Sequence, residues 1–320
     1  MSPTPFLILV IALISTNSLS QHLFIVNEHA SQIEKSAFTV RALGQNYREQ
    51  NATRALYALR LGYGFTSRWS ILVSGSLSNH HDRRLPPDLI GHTHVGNQTH
   101  YYTQPIRRGV DYPHLFNGVY VMSRYMIVED AVGGKPFKLG LYGEWSAVET
   151  AHDDAEPDLM NDTGGYGFGL VSTFQKSRFA AGVTSGYIVP NSYFEMQPDH
   201  SGGPDLPTTI EYGNAFRYNV SFGYQLNSPG SEGVVDWNVY LEFAGKSFDA
   251  ADVVQNGTLI TNRTVALRKG SYLEIQPGIQ RCVGPGNRLE LSVAISMINS
   301  SYAHFTPVWT LAYQRYFFRD

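Results

Sequence analysis

Apolar and polar residues alternate along most of this chain. In the cleanest run, Phe216, Tyr218, Val220, Phe222, Tyr224 and Leu226 are separated by Arg217, Asn219, Ser221, Gly223 and Gln225. A period of two places these sets on opposite faces of a β-strand. Trp69, Ile71, Val73 and Leu77 against Ser70, Ser74, Ser76 and Ser78 repeat the pattern. So do Leu289, Leu291, Val293, Ile295 and Met297 against Glu290, Ser292, Ala294 and Ser296, and the stretch Thr306 to Phe318, which ends in aromatics. Alternation predicts about twelve strands of roughly ten to fourteen residues, near 36–48, 53–66, 68–81, 117–130, 136–150, 165–176, 178–191, 214–227, 235–248, 271–283, 288–299 and 306–318.

Period alone does not separate a soluble sandwich from a membrane barrel. In the first the apolar face is the core; in the second it meets lipid and the polar face lines a wet lumen. The connections separate them. Short turns (Thr66 to Arg68, Ala131 to Lys135, Ser177, Ser228 to Val234, Gly284 to Asn287) alternate with long ones at about 82–116, 151–164, 192–213 and 249–270. That phase predicts an all-β fold, a single transmembrane antiparallel barrel with short periplasmic turns and long extracellular loops. Trp69, Phe168, Phe179, Phe222, Trp237 and Trp309 are expected on the lipid face. Lys138, Glu144, Arg217, Glu242, Lys246, Glu274 and Glu290 are expected in the lumen.

The N-terminus carries an apolar run from Phe6 to Ile14 and a small-x-small site, Ser18-Leu19-Ser20. Such a run is too short to cross roughly 30 Å of hydrocarbon, so residues 1–20 read as a cleaved signal peptide and 21–320 as the barrel. The expected location is the bacterial outer membrane. The expected partners are outer-membrane lipid, a small solute, and the barrel-assembly machinery acting on the C-terminal strand. A net charge of −3 without a basic stripe gives no reason to expect nucleic acid. The single cysteine, Cys282, excludes an internal disulfide framework.

Leu59 to Trp69 (LRLGYGFTSRW) reads as strand, tight turn, strand, and resembles the repeated hairpin of outer-membrane barrels grouped with the meta-pathway phenol-degradation family. YLEIQPGIQ, NRLELSVAIS and TPVWTLAYQRYFF are similar to the last three strands of that group. The resemblance fails in the long loops. It implies an outer-membrane transporter without established catalytic residues.

The first long loop holds the candidate metal ligands His80, His81, His92 and His94; neutral imidazole suits zinc, copper or nickel. His152-Asp153-Asp154 and His81-Asp82 at the outer rim, and Ser301 with His304, are the pairs a hydrolase would use. No third orienting residue is identifiable in sequence, and no organic cofactor motif is present, so no enzyme is expected. The expected function is passage of a small solute, aromatic or apolar solutes among the candidates, through a charged lumen. Access would be set by the loop of about 82–116. The alternatives are a surface binding or adhesion protein anchored by a plugged barrel and, behind it, an outer-membrane hydrolase.

Overall fold

The computed structural model describes residues 30, 32–85, 92–95, 98–101, 109–129, 137–148, 150–199, 202–226, 236–260, 264–283 and 286–318; residues 1–20, expected to be a signal peptide, lie outside them. The elements open with β1 (Phe38–Glu49), β2 (Ala52–Gly64), β3 (Trp69–Ser78), β4 (His92–Val95), β5 (Gln98–Tyr101), β6 (Leu115–Glu129) and β7 (Phe137–Val148). They continue with β8 (Gly165–Lys176), β9 (Phe179–Pro190), β10 (Tyr193–Gln197), β11 (Leu206–Glu211), β12 (Ala215–Gln225) and β13 (Asp236–Phe248). The last are β14 (Asp252–Gln255), β15 (Thr258–Ile260), β16 (Gly270–Cys282), β17 (Asn287–Asn299) and β18 (Val308–Phe317).

Twelve of these strands close an antiparallel barrel in the order β1-β18-β17-β16-β13-β12-β9-β8-β7-β6-β3-β2. The seam pairs Phe38 with Phe317 and Asn46 with Trp309, leaving no open edge. All six aromatics expected on the outside are exposed there, alongside Leu291, Leu311 and Tyr313. Water does not solvate so large an apolar surface well, whereas lipid does. The inner face buries Ser70, Ser74, Ser76, Arg124, Glu144, Asn219, Glu242, Gln280 and Glu290.

The long loops hold more structure than alternation predicts. β10, β11, β14 and β15 form a separate four-stranded sheet from the loops at 192–213 and 249–270, and β4 pairs with β5. Two further segments turn inward. Residue 30 and residues 32–37 lie at the short-turn end, where Ser36 N–H donates to Gly64 O at 2.7 Å and Ala30 N–H to Thr173 Oγ1 at 2.9 Å. Gly62 and Gly64 leave the room: a Cβ at Gly64 would run into the Ile33 and Glu34 carbonyls. The other inward segment, 151–163, crosses the opposite mouth.

Candidate functional site: a strut across the lumen

The loop between β7 and β8 is rich in Asp and carries His152 and Asn161, yet it is largely buried; Ala155 and Leu159 are 0% and 2% exposed. A buried polar loop survives only if its backbone and side-chain groups find partners, and these come from around the barrel. Lys246 Nζ on β13 lies 3.1 Å from Glu156 Oε1 and donates to Pro157 O at 2.8 Å. Ser76 Oγ on β3 donates to Met160 O at 2.6 Å. β13 and β3 stand six places apart in the ring of twelve, so Glu156 to Met160 spans the lumen from wall to opposite wall.

Both ends are reinforced. Ser301 Oγ donates to Glu156 Oε2 at 2.7 Å, and His304 Nδ1 lies 3.7 Å from Glu156 Oε1 while its Nε2 lies 2.7 Å from Glu274. On the β3 side, Asn117 Nδ2 donates to Asn161 Oδ1 at 3.0 Å, and His81 Nε2 lies 3.1 Å from Asp162 Oδ1. His152 stacks on Tyr212 with centroids 4.1 Å apart, and the Tyr212 hydroxyl donates to His152 O at 2.9 Å.

The charges follow from these contacts. Burial opposes ionisation of Glu156, but Lys246, then His304 and Ser301, hold its carboxyl at about 2. Burial opposes charge on His304 too, and its two glutamates outweigh it, raising the imidazole to about 9. His81 is raised to about 9 in the same way by Asp162. His80 has no carboxylate partner: burial, with His81 and Arg54 beside it, lowers it to about 3, and the ring is neutral.

Below the strut the lumen charges are paired. Glu144 is fully enclosed, receives Arg217 Nη2 at 2.8 and 2.9 Å and accepts from the Tyr120 hydroxyl at 2.6 Å. Arg41 reaches Glu290 at 2.8 Å, and Gln280 Nε2 donates to the other oxygen of Glu290 at the same distance. Glu242 accepts from Ser221 Oγ at 2.9 Å. Lys246 and Glu274 belong to the strut's anchorage. Lys138 is the outlier: it pairs with Glu129 at 3.1 Å at the short-turn rim, partly exposed, rather than deep in the lumen.

Among the described residues, two of the expected metal ligands are brought together. His80 and His81 converge on Asp162, the ligand atoms of all three lying within 4.8 Å of one another. His92 and His94 lie on β4, and their side chains fall outside the described residues. Of the hydrolase candidates, Ser301 and His304 both hold Glu156, and His152 Nε2 is 3.0 Å from Thr163 Oγ1. Among the described residues, 151–163 crosses the lumen; of the loop of about 82–116, expected to set access, residues 86–91, 96–97 and 102–108 lie outside the described residues. Glu156, Asp162 and Arg41 are the residues sequence reasoning missed. The first two sit in a loop with no periodicity, and Arg41 offered only its place on the polar face of a strand; His304 stood out only as a hydrolase candidate, not as an anchor of Glu156.

No protein-family model matches the chain, and no curated protein sequence does. Among solved structures, an outer-membrane channel from Pseudomonas putida F1 superposes on 92% of this chain and 100% of its own, with a TM-score of 0.57 at 10% identity. The NanC porin (88% of this chain, 99% of its own, TM-score 0.44, 11% identity) is a looser match. So is the toluene transporter TbuX of Ralstonia pickettii (89%, 90%, 0.40, 11%). At 10% identity the first likeness shows a shared fold; the two looser ones carry no weight for function.

Proposed function

We propose that this chain is a gated channel of the bacterial outer membrane that passes a small solute. The observation that carries the reading is the strut, a polar segment held across a charged lumen by contacts that ionisable groups can make and break. An apolar outer face and a fold shared with an outer-membrane channel support the location.

Passage would be diffusive, around or past the strut, through a field set by Arg217, Glu144, Glu242 and Lys246. Tyr120, Tyr142, Tyr240 and Tyr272 on the inner wall favour a solute with aromatic or apolar character. The likeness of the hairpin and last three strands to the meta-pathway phenol-degradation barrels points the same way. The role is not enzymatic on this reading, in which Ser301, His304, His81 and His152 hold the loop.

One observation favours a second reading. Buried residues of loop segments lie at both ends, Ala30, Gln32, Ile33 and Ala37 at one and much of 151–163 at the other, as a sealed barrel serving as an anchor would have. Single-channel conductance of the refolded full chain in planar bilayers decides between the two. Discrete steps that enlarge when residues 156–160 are shortened support the channel. Silence from a folded barrel, with and without that shortening, overturns it in favour of the anchor.

A further inference from the structure

We propose that His80, His81 and Asp162 hold a divalent transition-metal ion of the zinc, copper or nickel class at the barrel mouth. The two histidines follow the end of β3, whereas Asp162 arrives from the strut, 81 residues later in the chain. Two imidazoles and a carboxylate form a donor set that such ions prefer over magnesium or calcium, which favour all-oxygen sites.

Three observations converge on the site. The His81 Nε2 to Asp162 Oδ1 separation of 3.1 Å is close to the edge of a tetrahedron built on metal–ligand bonds of about 2.0–2.2 Å. His80 Nε2 is buried without a hydrogen-bond partner, and Nδ1 of the same ring lies 2.9 Å from the Asn161 side-chain amide. Coordination at Nε2 would place the ring proton on Nδ1, to be accepted by the Asn161 amide oxygen once that amide turns over, and would satisfy a buried nitrogen that is otherwise costly. All three side chains line one cavity of about 80 Å³, whose wall also includes Asp153 and Asp154. That space accommodates water to complete the coordination shell. The remaining contraction, from ligand atoms spread within 4.8 Å, is a rotamer-scale movement.

A metal here would tie the strut to β3 and strengthen its closed position. The site stands whether or not solute passes, so its test is a binding measurement. Full-length barrel refolded in detergent is titrated with ZnCl₂ by isothermal calorimetry, with MgCl₂ as the comparison. The expected result is one zinc site and no magnesium binding. Asp162→Asn, which keeps the side-chain shape, and His80→Ala should each weaken zinc at least tenfold, while the His92→Ala/His94→Ala double variant should match the parent. Cu²⁺ bound to the unmodified barrel should show an electron paramagnetic resonance spectrum with two coordinated nitrogens. Absence of zinc binding by the folded parent barrel overturns the proposal, as does equal binding of zinc and magnesium. Loss of zinc only in the His92/His94 double variant would move the site to the β4–β5 hairpin and overturn it as well.

Discussion

Arg217 of β12 and Tyr142 of β7 meet at 3.1 Å although β8 and β9 stand between their strands. The register explains how. Arg217 is level with Gly186, Gly186 with Gly169, and Gly169 with Tyr142, so the two intervening positions on this row have no side chain. A Cβ at either glycine would strike the Tyr142 ring. The wall is flat where the arginine and tyrosine reach across it, and Arg217 goes on to Glu144.

Gly186→Val should therefore cost stability through overpacking, about 1–3 kcal/mol by urea unfolding from lipid vesicles. Tyr142→Ala in the same chain should recover most of that cost, because the two positions share one space. Additive losses in the double variant would mean that the contact is not the cause.

The Arg217–Glu144 pair should set ion preference. Arg217→Ala leaves an enclosed carboxylate without its cation, and Glu144→Gln leaves the arginine unopposed. Reversal potentials in a salt gradient should move a few-fold toward cations in the first variant and toward anions in the second. Both should unfold more easily, by about 3 kcal/mol, since breaking a buried pair strands one charge. Identical selectivity in the two variants would show that solute avoids this region.

Anchorage of the strut should depend on pH. His304 is raised above its ordinary value, so its stabilisation is full below about pH 6.5 and is lost as pH rises through about 9. Glu156 is lowered, so its contribution is full above about pH 4.5 and is lost as pH falls through about 2. Between about pH 4.5 and 6.5 both are intact. Conductance should increase from pH 6.5 to 9 as His304 releases Glu156 and Glu274, and His304→Gln should flatten that rise. An unchanged pH profile in His304→Gln would remove histidine from the anchorage.

The outer face can be tested separately. Leu311, exposed on β18 and level with Leu291 of β17, should tolerate Arg poorly if lipid surrounds it, losing about 2–4 kcal/mol on unfolding from vesicles. A neutral effect would argue that water bathes this face.

The barrel strands were legible in the sequence because each presents one apolar and one polar face over ten or more residues, a pattern few other structures impose. Arg217, Glu144, Glu242 and Glu290 were assigned to the lumen from that pattern alone. Lys138 has the right parity but sits at the rim, since period fixes the face of a strand and not the depth. The strands β10, β11, β14 and β15 run only three to six residues, too short for alternation to stand out, and Pro207 interrupts β11. The strut was illegible for a different reason. His152, Asn161 and Asp162 look like a solvated loop until their partners Tyr212, Asn117 and His81 are known, and those contacts link residues far apart in the chain. His80 and His81 were singled out, but nothing local could connect them to Asp162.

A ring of strands around a wet interior has no hydrophobic core to keep its cross-section round. A segment seated on β13 at one end and β3 at the other fixes the width of the cylinder at its mouth, as a crossbeam does. Swinging that beam aside to admit solute would also free the wall to flatten. Opening the passage and softening the barrel are then a single event, and lateral pressure from the surrounding membrane would act on both.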